Sequence, residues 1–133
     1  MDDLGEALMK RDIAERWVAK LRDPAVRQGR SMLGNVNGLR CCLGVLCDIA
    51  VEDDVINPPE PSLAAGRDDP MLRYDTETSL LPESVVEWAG MRSKGGRYPA
   101  PSCYMDNALF QDNDNGMTFA EIASIIERYV EEL

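Results

Sequence analysis

Arg27-Gln28-Gly29-Arg30-Ser31-Met32-Leu33-Gly34-Asn35-Val36-Asn37-Gly38-Leu39-Arg40-Cys41-Cys42-Leu43-Gly44-Val45-Leu46-Cys47-Asp48-Ile49-Ala50-Val51 changes its pattern part-way along, and that change decides the fold. Up to Cys42, two short segments (27–33 and 39–42) flank Gly34-Asn35-Val36-Asn37-Gly38, whose Asn-Gly step is a strong turn signal, so a β-hairpin is predicted. Side chains alternate along a strand, which places Gln28, Arg30 and Met32 on one face and Arg27, Gly29, Ser31 and Leu33 on the other. From Cys42 to Val51 the chain is almost wholly apolar, with the length of a buried helix, and Glu52-Asp53-Asp54 ends it. This helix is the expected centre of the core.

Upstream, residues from about Glu6 to Arg22 read as an amphipathic helix: Met9 or Ile13, Trp17 and Leu21 recur at fours beside Ala14 and Val18, and Asp23-Pro24 stops it. Its polar side carries Arg16 and Lys20, with Lys10 and Arg11 earlier. Downstream, the proline-rich stretch 57–70 is a loop, and Met71–Asp75 and Thr78–Leu81 are predicted short strands bent at Asp75-Thr76-Glu77. Pro82 opens a helix that Gly90 closes. The glycine and proline loop over 93–102 is mobile or ligand-adjacent. Thr118 and Glu121 form a capping box before Ile122, Ile125, Ile126, Tyr129, Val130 and Leu133 at core spacing. The expected fold is α+β: one compact domain over 1–133, with a β-hairpin and short strands packed against about four helices.

With 133 residues and 44% hydrophobic content, a core of this kind stands without disulfides or metal. There is no histidine, which removes Ser-His-Asp triads, Cys-His dyads and His-liganded zinc together. A formal charge of −10 argues against long nucleic acid and membrane surfaces as partners. That charge is unevenly spread. Residues 10–40 hold eight bases against three acids, a net of +5, whereas residues 41–133 hold eighteen acids against six bases, a net of −12. Two readings of the basic segment stand side by side: a local positive potential for a small anion, or bases that pair with acids elsewhere in the fold. Neither a signal peptide nor a membrane span is recognisable, so a cytoplasmic location with reduced Cys41, Cys42, Cys47 and Cys103 is expected.

The four cysteines have poor spacing for structural zinc, and a nucleophilic Cys42 would need Arg40 or a helix amino end in place of the missing imidazole; packing is the preferred reading. Asp112-x-Asp114-x-Gly116 puts Met117 and Ala123 where a calcium loop needs glycine and glutamate, so it reads as a turn. No cofactor or metal is expected. Tyr98 and Tyr104 are the freer aromatic candidates for stacking, since Trp17 and Trp88 lie on predicted core faces. The best ligand-binding set is Arg27, Gln28, Gly29, Arg30 and Arg40, with Lys20 from the preceding helix: guanidinium forks match phosphate oxygens, and Gly29 permits close backbone approach.

Arg16-Trp17-Val18-Ala19-Lys20-Leu21-Arg22, Gln28-Gly29-Arg30, Cys41-Cys42-Leu43-Gly44-Val45-Leu46-Cys47-Asp48, Leu81-Pro82 with Val85, Trp88 and Gly90, and Asn113-Asp114 with Gly116, Thr118 and Phe119 together resemble a family of small proteins from tailed bacteriophages and prophages. The resemblance runs from about residue 12 to 131, is most specific in the cysteine block, and carries no catalytic residue with it. It implies a phage accessory protein in the host bacterial cytoplasm. Two functions fit that setting. One is an anti-defence sponge that sequesters a small anionic, nucleotide-like immune signal without turnover, in a pocket expected to be shared within a homo-oligomer. The other is an acidic inhibitor or nucleic-acid mimic that occupies a basic host protein. A His-free enzyme degrading such a nucleotide through carboxylates or Cys42 is a third reading.

Overall fold

A helix that is apolar all round must be enclosed on every side, and Cys42–Glu52 (α2) is enclosed: Cys42 to Cys47, Ile49 and Ala50 are all buried. The structure, a computed structural model, describes residues 9–62, 70–99 and 107–133. Around α2 the elements are α1 (Arg11–Leu21), β1 (Arg27–Gln28), β2 (Leu39–Arg40), β3 (Glu60–Pro61), β4 (Leu72–Arg73), α3 (Glu83–Ala89), β5 (Arg97–Tyr98), β6 (Asn107–Ala108), α4 (Leu109–Asp114) and α5 (Phe119–Tyr129). The fold is α+β, a single small domain with one core.

The periodic helices form as their spacing predicts. Ile13, Ala14, Trp17, Val18 and Leu21 are the buried face of α1, which packs on α5 and α2. Trp17 is fully buried, and its indole N–H donates to the Cys42 carbonyl at 2.9 Å, satisfying the one polar atom of a large apolar side chain. On α5, Thr118 and Glu121 make the reciprocal capping box, and Phe119, Ile122, Ala123 and Ile126 face inward. Gly90, left-handed at φ 75°, ends α3. Trp88 is half-buried against the core.

Three expectations are corrected. The predicted hairpin strands do pair, but in parallel: Arg27 aligns with Leu39 and Gln28 with Arg40. The Asn-Gly turn closes on itself instead, through a bridge between Gly34 and Arg40 and through the Asn35 Oδ1, which accepts the N–H groups of Asn37 at 3.0 Å and Leu39 at 3.1 Å. The outer edge of β2 is thereby left for β1, and the Gly29 N–H reaches the Arg40 carbonyl at 2.7 Å. The second short strand, 78–81, does not form. Its backbone groups bond singly to separate segments, the Thr78 carbonyl to Leu33 N–H and the Leu81 N–H to the Lys94 carbonyl, while β4 pairs antiparallel with β3. The turn expected at Asp112–Gly116 is helical as far as Asp114, which adds α4 as a fifth helix, and Gly116 then takes φ 106°.

Candidate functional site

The residues of the predicted binding set are mostly turned to internal partners. Gln28 donates from Nε2 to Asn113 Oδ1 at 2.9 Å and to the Met117 carbonyl at 2.8 Å, while its Oε1 accepts the Phe119 N–H at 3.2 Å. Gly29 is buried against Leu39, where an added Cβ would come within 2.9 Å of the leucine Cβ. Arg40 points inward: Nε donates to Asp48 Oδ2 at 2.8 Å and Nη1 to the Leu39 carbonyl at 2.9 Å. The fully buried Tyr74 donates its hydroxyl to the other Asp48 oxygen at 2.6 Å, so Arg40, Asp48 and Tyr74 form a closed polar network that ties the 34–40 turn to α2. Lys20 is paired with Glu52 at 2.7 Å. Arg27 and Arg30 lie on the surface, Arg27 with one 3.3 Å contact to the Asn37 carbonyl. Tyr98 is buried, not free for stacking: its ring lies 5.0 Å from that of Tyr129, and its hydroxyl donates to Asp112 at 2.5 Å. Burial and the Asp112 carboxylate push the Tyr98 phenol up to about 12. Tyr104 and Cys103 lie outside the described residues.

Three further bases of the segment are paired with acids as well. Arg11 pairs with Glu131, Arg16 with Glu52 and Asp53, and Arg22 with Glu127. The Arg16 guanidinium holds the Asp53 carboxyl below its usual range, and Arg22 does the same to Glu127. All four of these acids lie far from their bases in sequence, so the pairing was open to sequence reading only as a possibility in principle.

Cys41, Cys42 and Cys47 are free thiols and buried. Burial pushes Cys41 up to about 11 and raises Cys42 and Cys47 well above the ordinary thiol range, so none presents a thiolate at neutral pH. Among the described residues no three His, Cys, Asp or Glu side chains gather in a group able to hold a metal ion, and no helix is long and apolar enough to cross a membrane.

A different part of the chain brings two arginines to the lining of one cavity. Arg92, Ser93, Arg97, Tyr98, Pro99 and Glu132 line a hollow of about 350 Å³. The loop that builds it is anchored rather than loose. Arg92 N–H bonds the Leu133 carbonyl at 2.6 Å, and Arg97 N–H bonds Ser93 Oγ at 2.9 Å. The Gly95 and Gly96 carbonyls accept the Phe110 and Leu109 N–H groups at 3.2 Å and 3.0 Å. Gly96 sits at φ 74°, and a Cβ there would press on Leu109 at 2.9 Å, so only glycine lets the loop lie this close to α4. The described part of this loop, 93–99, is thus tied to α4 and to the neighbouring backbone. The signal sequence reading passed over was Arg92, Lys94 and Arg97 within a stretch free of acids.

Two other cavities lack that character. The groove of about 420 Å³ between α1 and α5 balances its bases with acids: Glu15 and Glu127 line it beside Arg11 and Arg22, and Arg22 pairs with Glu127. A hollow of about 340 Å³ beside Ser31, Cys41 and Phe110 carries Asp114 and no base.

No curated protein and no solved structure matches the chain. Residues 9–130 match the family described as Domain of unknown function (DUF8296), a span that takes in every element from α1 to α5, and the chain belongs to that family.

Proposed function

We propose that the protein binds a small phosphate-bearing, nucleotide-like ligand without turning it over, and that its site is the Arg92–Pro99 cavity rather than the 27–40 segment. The observation that carries this reading is that Arg92 and Arg97 line one cavity in a protein of net charge −10. Guanidinium forks match phosphate oxygens in pairs, and the cavity's volume lies at the lower end of the roughly 300–1,000 Å³ of small-molecule sites. Burial of Cys41, Cys42 and Cys47 supports binding over chemistry at those thiols. In the host cytoplasm such a binder would act as a sponge for a nucleotide immune signal.

Calorimetry against nucleoside monophosphates, ADP-ribose derivatives and cyclic dinucleotides tests the reading. A saturable, stoichiometric heat is expected with at least one compound, recovered unchanged by mass spectrometry. Arg92→Ala and Arg97→Ala should each weaken it about tenfold or more, as loss of a charged hydrogen bond does, whereas Arg27→Ala and Arg30→Ala should leave it within about twofold, as surface substitutions do. Absence of heat throughout, or loss confined to Arg27 and Arg30, would overturn the assignment.

A second reading, the acidic inhibitor of a basic host protein, draws on the ion pairs above: they consume most of the bases of residues 10–40 and leave the body's surplus of acids facing outward. It predicts salt-sensitive capture of a host protein that is indifferent to Arg92 and Arg97.

A further inference from the structure

Glu132 lines the same cavity as Arg92 and Arg97, is half-buried there, and has no side-chain hydrogen bond or ion pair with any described residue. For a site that takes phosphate alone this carboxylate is a defect, since it repels the anion that the two guanidinium groups attract. A carboxylate is acceptor-only and can receive two adjacent donors, one on each oxygen. We infer that the ligand carries, beside its phosphate, a pair of neighbouring hydrogen-bond donors that Glu132 receives: it is a mononucleotide-sized group with a free ribose diol or a guanine edge, not a bare phosphate or a cyclic dinucleotide. The inference rests on the phosphate-binding reading of this cavity and deepens it. Size points the same way, because about 350 Å³ suits one nucleotide unit better than two. Glu132 follows directly on α5 and its half-turn, with its N–H bonded to the Tyr129 carbonyl at 2.8 Å, so its position is held by the capped helix that precedes it.

The test is calorimetry of the whole protein and of Glu132→Gln against inorganic phosphate, adenosine monophosphate, 2′,3′-dideoxyadenosine monophosphate, and the guanosine counterparts of both nucleotides. Wild type should prefer a nucleotide with paired donors over inorganic phosphate, and over the adenine compound lacking its diol, by about tenfold, the scale of a hydrogen-bond pair to a charged group. Glu132→Gln should bring these ratios close to one while strengthening the binding of inorganic phosphate. Retained affinity of the dideoxyguanosine compound identifies the guanine edge as the source of the donors, and its loss identifies the ribose diol; either supports the inference. Equal binding of all the nucleotides, unchanged in Glu132→Gln but lost in Arg97→Ala, overturns the role of Glu132 and leaves the phosphate site standing. Failure of the wild type to bind any of these compounds overturns the inference, and failure to bind ADP-ribose derivatives and cyclic dinucleotides as well overturns the phosphate site.

Discussion

Gly44→Ala is expected to unfold most of the protein or to lower its stability by roughly 3–5 kcal/mol, the scale of severe overpacking. Helix propensity argues the opposite sign, because alanine in a helix interior is favoured over glycine by about 1 kcal/mol. The geometry decides between them. A Cβ on Gly44 would lie 1.8 Å from the Leu33 carbonyl oxygen and 2.8 Å from its carbon, and both are backbone atoms that cannot swing aside. Relief requires the whole 31–34 segment to retreat from α2. That would break the Cys41 N–H bond to the Leu33 carbonyl (3.1 Å) and the Leu33 N–H bond to the Thr78 carbonyl (2.7 Å). Urea denaturation of the variant checks the sign. An alanine variant as stable as wild type would mean that propensity wins and that the close approach is not held in solution.

Asn113→Ala should cost nearly as much, roughly 3–5 kcal/mol, and lower the thermal midpoint by about 10 °C or more. Asn113 is fully buried at the point where three segments meet. Its Oδ1 accepts from Gln28 Nε2 at 2.9 Å and from the Cys42 N–H at 3.1 Å, and its Nδ2 donates to the Gly29 carbonyl at 2.8 Å. Truncation strands a backbone N–H and a carbonyl away from water, each at about 1–3 kcal/mol, and leaves a small void besides. Asn115→Ala, two residues on and exposed, is the control, expected within about 0.5 kcal/mol of wild type. Equal midpoints for the two variants would show that Asn113 does not organise the junction.

Asn113 also explains what sequence reading could and could not see. Hydrophobic patterning is a local signal: spacing around Trp17 and Ile126 located α1 and α5, and an unbroken apolar run located α2. The direction of β1 is not local. It follows from Gln28 reaching Asn113, Met117 and Phe119 at the far end of the chain, and nothing near residue 28 announces those partners. The same holds for the charges. Eight bases between residues 10 and 40 resemble an anion site until Glu52, Asp53, Glu127 and Glu131 are brought beside them. Conversely, averaging over residues 41–133 gave −12 and hid Arg92, Lys94 and Arg97, which shorter windows would have exposed. Glu132 joined that cluster only through the packing of the chain's last turn.

The three buried thiols of the α2 region give the molecule an internal clock. A sealed sulfur meets an alkylating reagent only during the moments when its surroundings part, so the modification rate measures how often that part of the core breathes. Cys41 sits at the cap of the helix, Cys42 in its first turn and Cys47 at its midpoint. In a Cys103→Ser background the order in which they react would therefore distinguish fraying from the amino end from release of the helix as one cooperative unit.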